Sequence, residues 1–300
     1  KKIFQFSIST SFNSATLNKD FLSIPSASFD FLGFDDGTRS IPLDDPFVSE
    51  KFIYSPVVLL LSDPASFEGL MDVTRAFSTE MGVKKTTPKP NFALSFLIGD
   101  NKKLNTNKIG YYTAFNYKNN VSYYENYRQS SLEENPDSSI YELDLTREQY
   151  GNVGKRNILL SSLSGLTYHS NSNIYKLNIL ALRNTTHNAG FFYQRNIESN
   201  ANYLKKENID YSEKSVFNIF INGVHNKTDR LKIKWSMSPT YSRLRDKDVR
   251  ETAYEMIDLD DIIPLDEIQS DDSNYLIDAS NAGVPSRMWR DLDEYNLVSK

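Results

Sequence analysis

The 300-residue chain contains no cysteine, so neither a disulfide framework nor a cysteine-ligated zinc site is possible. It has three histidines, and His169, His187 and His225 lie too far apart in the sequence for any pair to form a metal-ligand motif. The longest apolar run covers residues 57–61, well short of the roughly 18 residues that a spanning helix needs. A transmembrane helix is therefore excluded.

Motifs for catalysis are also missing. There is no glycine-rich phosphate loop and no serine in a nucleophile-elbow pattern. The acidic stretch 258–272 and the group Asp30, Asp35 and Asp36 could hold calcium, but neither has EF-hand spacing. A solvated loop and a solvated turn at Gly37 are the simpler interpretations. We expect no enzymatic activity, no cofactor and no metal site.

The net charge of −5 and the scattered basic residues argue against nucleic acid as a partner. The hydrophobic content of 39% is typical of a soluble protein. It is equally typical of an outer-membrane β-barrel, because only alternate residues of a barrel strand face lipid. The aromatic content of 13% suits strand faces and interfacial girdles.

The clearest pattern is strict alternation of apolar and polar residues over unusually long stretches. In residues 229–241 one side carries Leu231, Ile233, Trp235 and Met237, while lysines and serines occupy the other. Ordinary strands run about five or six residues, whereas tilted strands that cross a bilayer need about 9 to 11. Strands are predicted near 3–12, 92–99, 108–118, 158–168, 174–183, 215–225 and 229–241.

Two segments allow more than one structural interpretation. Leu159 and Leu163 interrupt the polar side of 158–168, so either face of that strand is a candidate for the apolar one. A helix is predicted between Ser62 and Gly82, packing on a barrel mouth or on loops.

The predicted connections alternate between short and long. Outer-membrane barrels have short periplasmic turns and longer extracellular loops, which requires this alternation. The alternative is a soluble or surface-exposed β-sandwich that binds carbohydrate; it would bury Phe4, Phe6, Leu231, Ile233 and Trp235, which a barrel piece exposes on its convex side. The short connections are 100–107, 170–173 and 226–229, and the long ones are 13–91, 119–152, 184–213 and the region beyond 242.

One string is familiar: Asp30-Phe31-Leu32-Gly33-Phe34-Asp35-Asp36-Gly37-Thr38-Arg39-Ser40-Ile41-Pro42. It resembles a signature of TonB-dependent outer-membrane receptors that carry a carboxypeptidase-regulatory-like extension. In that family it follows the first barrel strand, where 3–12 lies here. The segment 287–296 also looks like a family segment leading into a later strand.

The resemblance implies an all-β, antiparallel transmembrane β-barrel, of which residues 1–300 would form the N-terminal portion of about 22 strands. The plug domain and TonB-binding box are not in this sequence, and Lys1 leads directly into a strand, so we expect a fragment. The implied function is uptake of a large nutrient (glycan, peptide or metal complex) across the outer membrane of a Gram-negative bacterium. The implied partners are outer-membrane lipid, the TonB complex through the plug, a surface lipoprotein and the extracellular nutrient ligand.

Three tyrosines are candidate ligand contacts. Tyr123, Tyr124 and Tyr127 fall in the predicted long loop 119–152, which the topology places outside the cell. Exposed aromatic rings stack on sugars or pack on peptides. The alternative for these tyrosines is an interfacial belt or packing within the loop.

Overall fold

A computed structural model gives the fold of most of the chain. It describes residues 2–17, 19–41, 71, 74–137, 139–197, 202–228, 230–257, 259, 263–268, 274–277 and 285–300.

The described residues are almost entirely β-strand. The strands are β1 (Ile3–Ser11), β2 (Phe21–Ser23), β3 (Lys84–Thr86), β4 (Asn91–Leu104), β5 (Asn107–Glu134), β6 (Leu143–His169), β7 (Asn173–Asn196), β8 (Asn202–Thr228), β9 (Leu231–Met256), β10 (Tyr275–Leu276) and β11 (Ser286–Ser299). A single 3-10 turn at Asp30–Leu32 interrupts the connection between β2 and β3.

Nine of these strands form one antiparallel sheet in the order β1-β4-β5-β6-β7-β8-β9, with β10 and β11 both paired to β9. The remaining two, β2 and β3, form a small separate sheet. Within the described residues β1 and β11 are the two edges of the large sheet and do not pair with each other. The predicted all-β, antiparallel class is confirmed, and the sheet is open.

The central strands are much longer than predicted. β5 has 28 residues, β6 has 27, β7 has 24 and β8 has 27. The segments 119–152 and 184–213, predicted as long loops, are instead mostly continuations of these strands, so that prediction was wrong. Their polar sequences hide the apolar alternation, but backbone pairing continues through them.

The predicted helix falls largely outside the described residues, which omit 62–70, 72 and 73. Met71 and Thr74 to Ala76 are helical, so helical conformation ends before the expected stop at Gly82. No helix in the described part of the chain is long and apolar enough to span a membrane.

The tight turns between β4 and β5, β6 and β7, and β8 and β9 all lie at one end of the sheet, here called the turn end. The opposite end is called the far end. Toward the far end, residues 13–41 (the docked segment) lie across one face of the sheet. Phe21, Leu22 and Ile24 of this segment are buried there.

The larger of two buried hydrophobic clusters in the described part of the chain lies at this contact between the docked segment and the sheet. Gly154 of β6 permits it, because a Cβ at this position would lie 1.9 Å from the carbonyl oxygen of Leu22. The sheet contributes Val121, Tyr123, Ala189, Ile209 and Tyr211 to the same cluster.

Candidate functional site

The face of the sheet that carries Phe6 has a continuous apolar surface near the turn end. We call it the apolar band. Its residues, traced strand by strand through the register, are Phe4, Phe6, Ile8, Leu94, Phe96, Ile98, Phe115, Leu166, Leu177, Ile179, Phe217, Ile219, Ile221, Ile233, Trp235, Met237, Tyr241, Tyr295 and Leu297.

No second sheet covers the apolar band within the described residues. Phe4, Phe6, Leu231, Ile233 and Trp235 are between 37% and 67% exposed. These are the side chains that a β-sandwich would have buried between its sheets. The small sheet β2–β3 and the rest of the docked segment pack nearer the far end instead.

The apolar interval shifts along the register from strand to strand. On β4 it covers 92–98, which lies opposite 113–119 of β5. On β8 the apolar interval covers 217–221. Tracing the register across β7 and β6 places these residues at the level of 111–115 of β5. From β4 to β8 the apolar interval therefore lies progressively closer to the turn end. Such a shift is expected when the strands of a sheet are tilted relative to a flat apolar layer.

A row of aromatic rings borders the apolar band at the turn end. Tyr168 stacks on Tyr175 with ring centroids 6.4 Å apart, and Tyr175 meets His225 edge-on at 5.3 Å. The indole Nε1 of Trp235 donates a hydrogen bond of 2.9 Å to Nε2 of His225. His225 thus belongs to an aromatic row.

The opposite face, here called the polar face, carries the intervening residues. At the level of the apolar band these include Gln5, Ser7, Asn218, Lys232 and Lys234. In the predicted strand 158–168, Leu160 and Leu166 lie on the face that carries the apolar band, whereas Leu159 and Leu163 lie on the polar face. The band face is thus mostly apolar, although Thr113, Ser162 and Ser164 also lie on it, whereas the opposite face is mixed and largely polar.

Residues 30–41 of the docked segment, which belong to the string quoted from the sequence, contact the sheet. The 3-10 turn of this segment ends at Gly33, which has a φ of +77° that favours glycine. The carbonyl oxygen of Gly33 accepts hydrogen bonds from Nε of Arg183 at 2.7 Å and from Oγ1 of Thr185 at 2.8 Å. The Arg183 guanidinium also lies 4.2 Å from the centre of the Phe34 ring.

Arg39 is the centre of a buried ion-pair network within the docked segment. Its guanidinium makes two bonds of 2.8 Å to the two carboxylate oxygens of Asp30 and a longer one of 3.3 Å to Asp35. It donates a further bond of 2.8 Å to the carbonyl of Pro25 and lies 4.4 Å from the centre of the Tyr211 ring. Planar pairing of this kind is specific to arginine.

The network continues into β8 and β9. Lys247 lies 3.2 Å from Asp35 and 3.5 Å from Glu213. Glu213 accepts a hydrogen bond of 2.7 Å from the Tyr211 hydroxyl, and its carboxylate also pairs with Arg183 at 2.7 Å. Every charged group of the network thus has an oppositely charged partner, and the pair of Asp35 with Lys247 joins the docked segment to β9.

The turn at Gly37 is exposed at residues 36–38 as predicted, but Asp30 and Asp35, which were also assigned to solvent, are buried. Asp30 is 4% exposed, and the Asp35 side chain is 1% exposed, with both carboxylates paired to Arg39. Only Asp36 remains at the surface, where backbone and hydroxyl hydrogen bonds from Ser28 and Thr38 lower its pKa. The prediction failed because the sheet supplies the burial, which the local sequence does not reveal.

His187 lies beneath this network. Burial lowers its pKa from 6.5 to about 3, with Asp30 opposing the shift and Arg39 and Arg156 adding to it. Its ring centre is 4.9 Å from that of Tyr211, and its Nε2 atom has no hydrogen-bond partner among the described residues. Burial likewise raises the pKa of the Tyr211 hydroxyl. Both groups are therefore neutral in the folded protein near pH 7.

The structure separates the three candidate tyrosines. They lie in β5, not in a loop, so that part of the prediction was wrong. Tyr123 is buried on the band face, where it contacts Phe21 with ring centroids 6.1 Å apart. Tyr124 is exposed on the polar face, and Tyr127 lies against Phe192 with centroids 6.0 Å apart. A bulge at Asn126, whose φ is +57°, separates Tyr124 from Tyr127.

The sequence reasoning missed a polar surface beside Tyr124. A hollow of about 390 Å³ lies across β5, β6 and β7 on the polar face. Its signal was present in the period-two series Lys118, Asn120, Ser122 and Tyr124, of which Lys118 was predicted to end a strand and the other three were assigned to a loop. The hollow is lined by Lys118, Asn120, Ser122, Tyr124, Lys155, Asn157, Leu159 and Asn184.

No group of three or more metal-ligating side chains occurs among the described residues, although much of the acidic stretch 258–272 lies outside them. Comparison with family models, with curated proteins and with solved structures finds no match to the chain.

Proposed function

We propose that the chain forms part of the barrel wall of an outer-membrane, TonB-dependent transporter that takes up a large nutrient. The observation that carries the proposal is the apolar band, exposed on one face of the sheet with a polar face behind it. Water-soluble proteins rarely expose contiguous apolar patches of this extent, and hydrocarbon is the medium in which such a surface is stable. The polar face would then line the lumen.

The dimensions support this assignment. On β9 the apolar side runs from Leu231 to Tyr241, about ten residues at roughly 3.3 Å each. At a tilt of about 40°, this length corresponds to an apolar layer of about 25 Å, the height typical of outer-membrane barrels. The stacked pair Tyr168 and Tyr175 then lies at the periplasmic interface, near the tight turns.

The length of the strands supports placing the far end of the sheet on the extracellular side. β5 to β8 continue well beyond the level of the apolar band, and the docked segment lies on these extensions. Long extensions on one side and tight turns on the other are typical of outer-membrane barrels. The β-sandwich alternative requires a second sheet over the band, and none lies there among the described residues.

The resemblance of residues 30–42 supplies the finer part of the proposal. By that resemblance the energy for uptake comes from the TonB complex through a plug domain. Outer-membrane lipid would contact the apolar band, and a surface lipoprotein would act with the extracellular extensions to deliver the nutrient. The polar face and the extensions would contact the cargo.

These 300 residues contain no cysteine, so a cysteine introduced here to carry a spin label is unique within them, and any cysteine elsewhere in the protein would first be replaced by serine. We would label positions 233 to 241 one at a time in the full-length receptor reconstituted in lipid. Labels at Ile233, Trp235 and Met237 should collide mainly with oxygen, which concentrates in hydrocarbon. Labels at Lys234 and Ser236 should collide mainly with a water-soluble nickel complex.

Alternation with period two along this strand supports the membrane assignment. Equal access of the nickel complex at every position would refute it. TonB dependence is tested separately, by comparing nutrient-supported growth of the host with and without a functional TonB complex. Growth that requires the receptor but not TonB would contradict that part of the proposal.

A further inference from the structure

The hollow on the polar face has a composition that selects a ligand class. Register places Lys118 beside Leu159, Asn120 beside Asn157, and Ser122 beside Lys155. The hollow thus offers two ammonium groups, three amides, a hydroxyl and the exposed ring of Tyr124. None of its lining residues is acidic.

The two lysines are available for a ligand. Lys118 and Lys155 are both exposed, and neither forms an ion pair with another residue in the described part of the chain. They are four residues apart along the strand direction and one strand apart across it. At about 3.3 Å per residue and about 4.8 Å per strand, their backbones are about 14 Å apart. This spacing suits a ligand with repeated anionic groups better than a single phosphate.

The amides provide the second half of the recognition surface. Amide side chains both donate and accept, which suits them to vicinal hydroxyl groups. Asn120 and Asn157 pair across β5 and β6, so their amide groups lie side by side in the hollow. The exposed ring of Tyr124 offers an apolar platform at the rim of the hollow.

The surface continues beyond this hollow. Lys155 and Asn188 belong to a neighbouring hollow of about 720 Å³ that extends across β8 and β9. That second hollow is lined by three carboxylates, Asp210, Asp246 and Glu251, and Asn188 already donates a hydrogen bond to Asp210. An anionic ligand is therefore expected to occupy the smaller hollow, with Lys155 at its border.

We propose that the hollow binds an acidic oligosaccharide, with Lys118 and Lys155 holding its carboxylate or sulfate groups and the asparagines its hydroxyl groups. This inference rests on the proposed function, since it names the class of nutrient that the transporter takes. Tyr124 is then a ligand contact, whereas Tyr123 is structural.

The test uses the purified full-length receptor in detergent and calorimetric titration with tetragalacturonate and with uncharged maltotetraose. The acidic probe should bind more tightly than the neutral one, and raising the salt concentration should weaken it. The double variant Lys118→Gln/Lys155→Gln should lose about tenfold in affinity for each lysine, as expected for hydrogen bonds to charged groups. The matched control, Lys176→Gln/Lys234→Gln, changes two lysines on the same face at the level of the apolar band.

A control that binds like the parent and a double variant that does not would support the inference. Equal binding of both sugars, or a double variant as tight as the parent, would overturn it. The variants change exposed side chains only, and circular dichroism verifies that they fold. Membrane fractionation keeps the two proposals apart: a receptor found in the outer membrane that fails to bind tetragalacturonate overturns only the ligand class. A receptor that binds tetragalacturonate but is absent from the outer membrane overturns only the transport function.

Discussion

Replacing Arg39 by methionine should release the docked segment from the sheet. The guanidinium is buried, and its loss leaves Asp30 and Asp35 as buried carboxylates with one partner fewer. Asp35 keeps Lys247, whereas Asp30 keeps only the backbone N–H of Ala27 at 2.8 Å. Removing one member of a buried ion pair typically costs about 3 to 5 kcal/mol.

The effect should be local, because the strands of the sheet remain fully paired without the docked segment. We would measure amide hydrogen exchange of peptides covering residues 21–39 in the intact protein. A cost of about 3 to 5 kcal/mol corresponds to exchange that is roughly 10² to nearly 10⁴ times faster, if the segment exchanges by opening. Peptides from the central strands should exchange at the parental rate.

Two further variants test the reasoning. Arg39→Lys keeps the charge but loses the planar fork, so its exchange should fall between that of the parent and that of Arg39→Met. Asp30→Asn combined with Arg39→Met should exchange more slowly than Arg39→Met alone, because the uncompensated carboxylate is gone.

The matched control is Arg128→Met. Arg128 pairs with Asp266 at 2.5 Å, but both side chains are largely exposed, at 66% and 42%. Such a pair contributes about 0 to 1 kcal/mol, so exchange near it should change by less than about fivefold. If Arg39→Met perturbs the docked segment no more than Arg128→Met perturbs its own surroundings, the network does not hold the segment in place.

Two more predictions concern the same contact. Gly33→Ala should weaken docking more than Gly37→Ala, although both glycines have positive φ. A Cβ at Gly33 would lie 2.9 Å from Oγ1 of Thr185, whereas a Cβ at Gly37 would have no atom within 4 Å. Amide hydrogen exchange of residues 21–39 in the two variants tests this, and equal effects would contradict it. For His187, the folded pKa of about 3 lies below the ordinary 6.5, so docking is fully stable above pH 6.5 and weakens as the pH falls toward 3, since the undocked form takes up a proton. Each pH unit in this window should cost up to about 1.4 kcal/mol, and denaturant titrations at pH 7 and pH 5 should show a smaller pH effect in His187→Phe. A variant with the parental pH dependence would refute this role.

The sequence was most informative where one face of a strand is apolar and the other is wet. Residues 231–241 alternate almost without error, and they form β9 as predicted from that pattern. The extensions of β5 to β8 could not be recognised in this way. Around Lys118 to Tyr124 the polar face is mostly hydrophilic, while the other face is covered by a segment from elsewhere in the chain.

The buried network was beyond sequence reasoning for a related reason. The signature string places one arginine among three aspartates, which hints at local pairing. The partner that completes the network, Lys247, is 212 positions from Asp35. Nothing in either segment alone shows that the other will cover it, so the carboxylates were assigned to solvent. The same limit applies to Tyr123 and Tyr124, which are adjacent in sequence but lie on opposite faces.

The edges of the large sheet have a consequence for biogenesis. Within the described chain β1 pairs only with β4, and β11 pairs only with β9, so each leaves one row of backbone amides and carbonyls without a strand beside it. In hydrocarbon each such group left unsatisfied costs several kcal/mol. For the proposed barrel wall, insertion into the bilayer and pairing of these two edges with further strands would therefore have to proceed together.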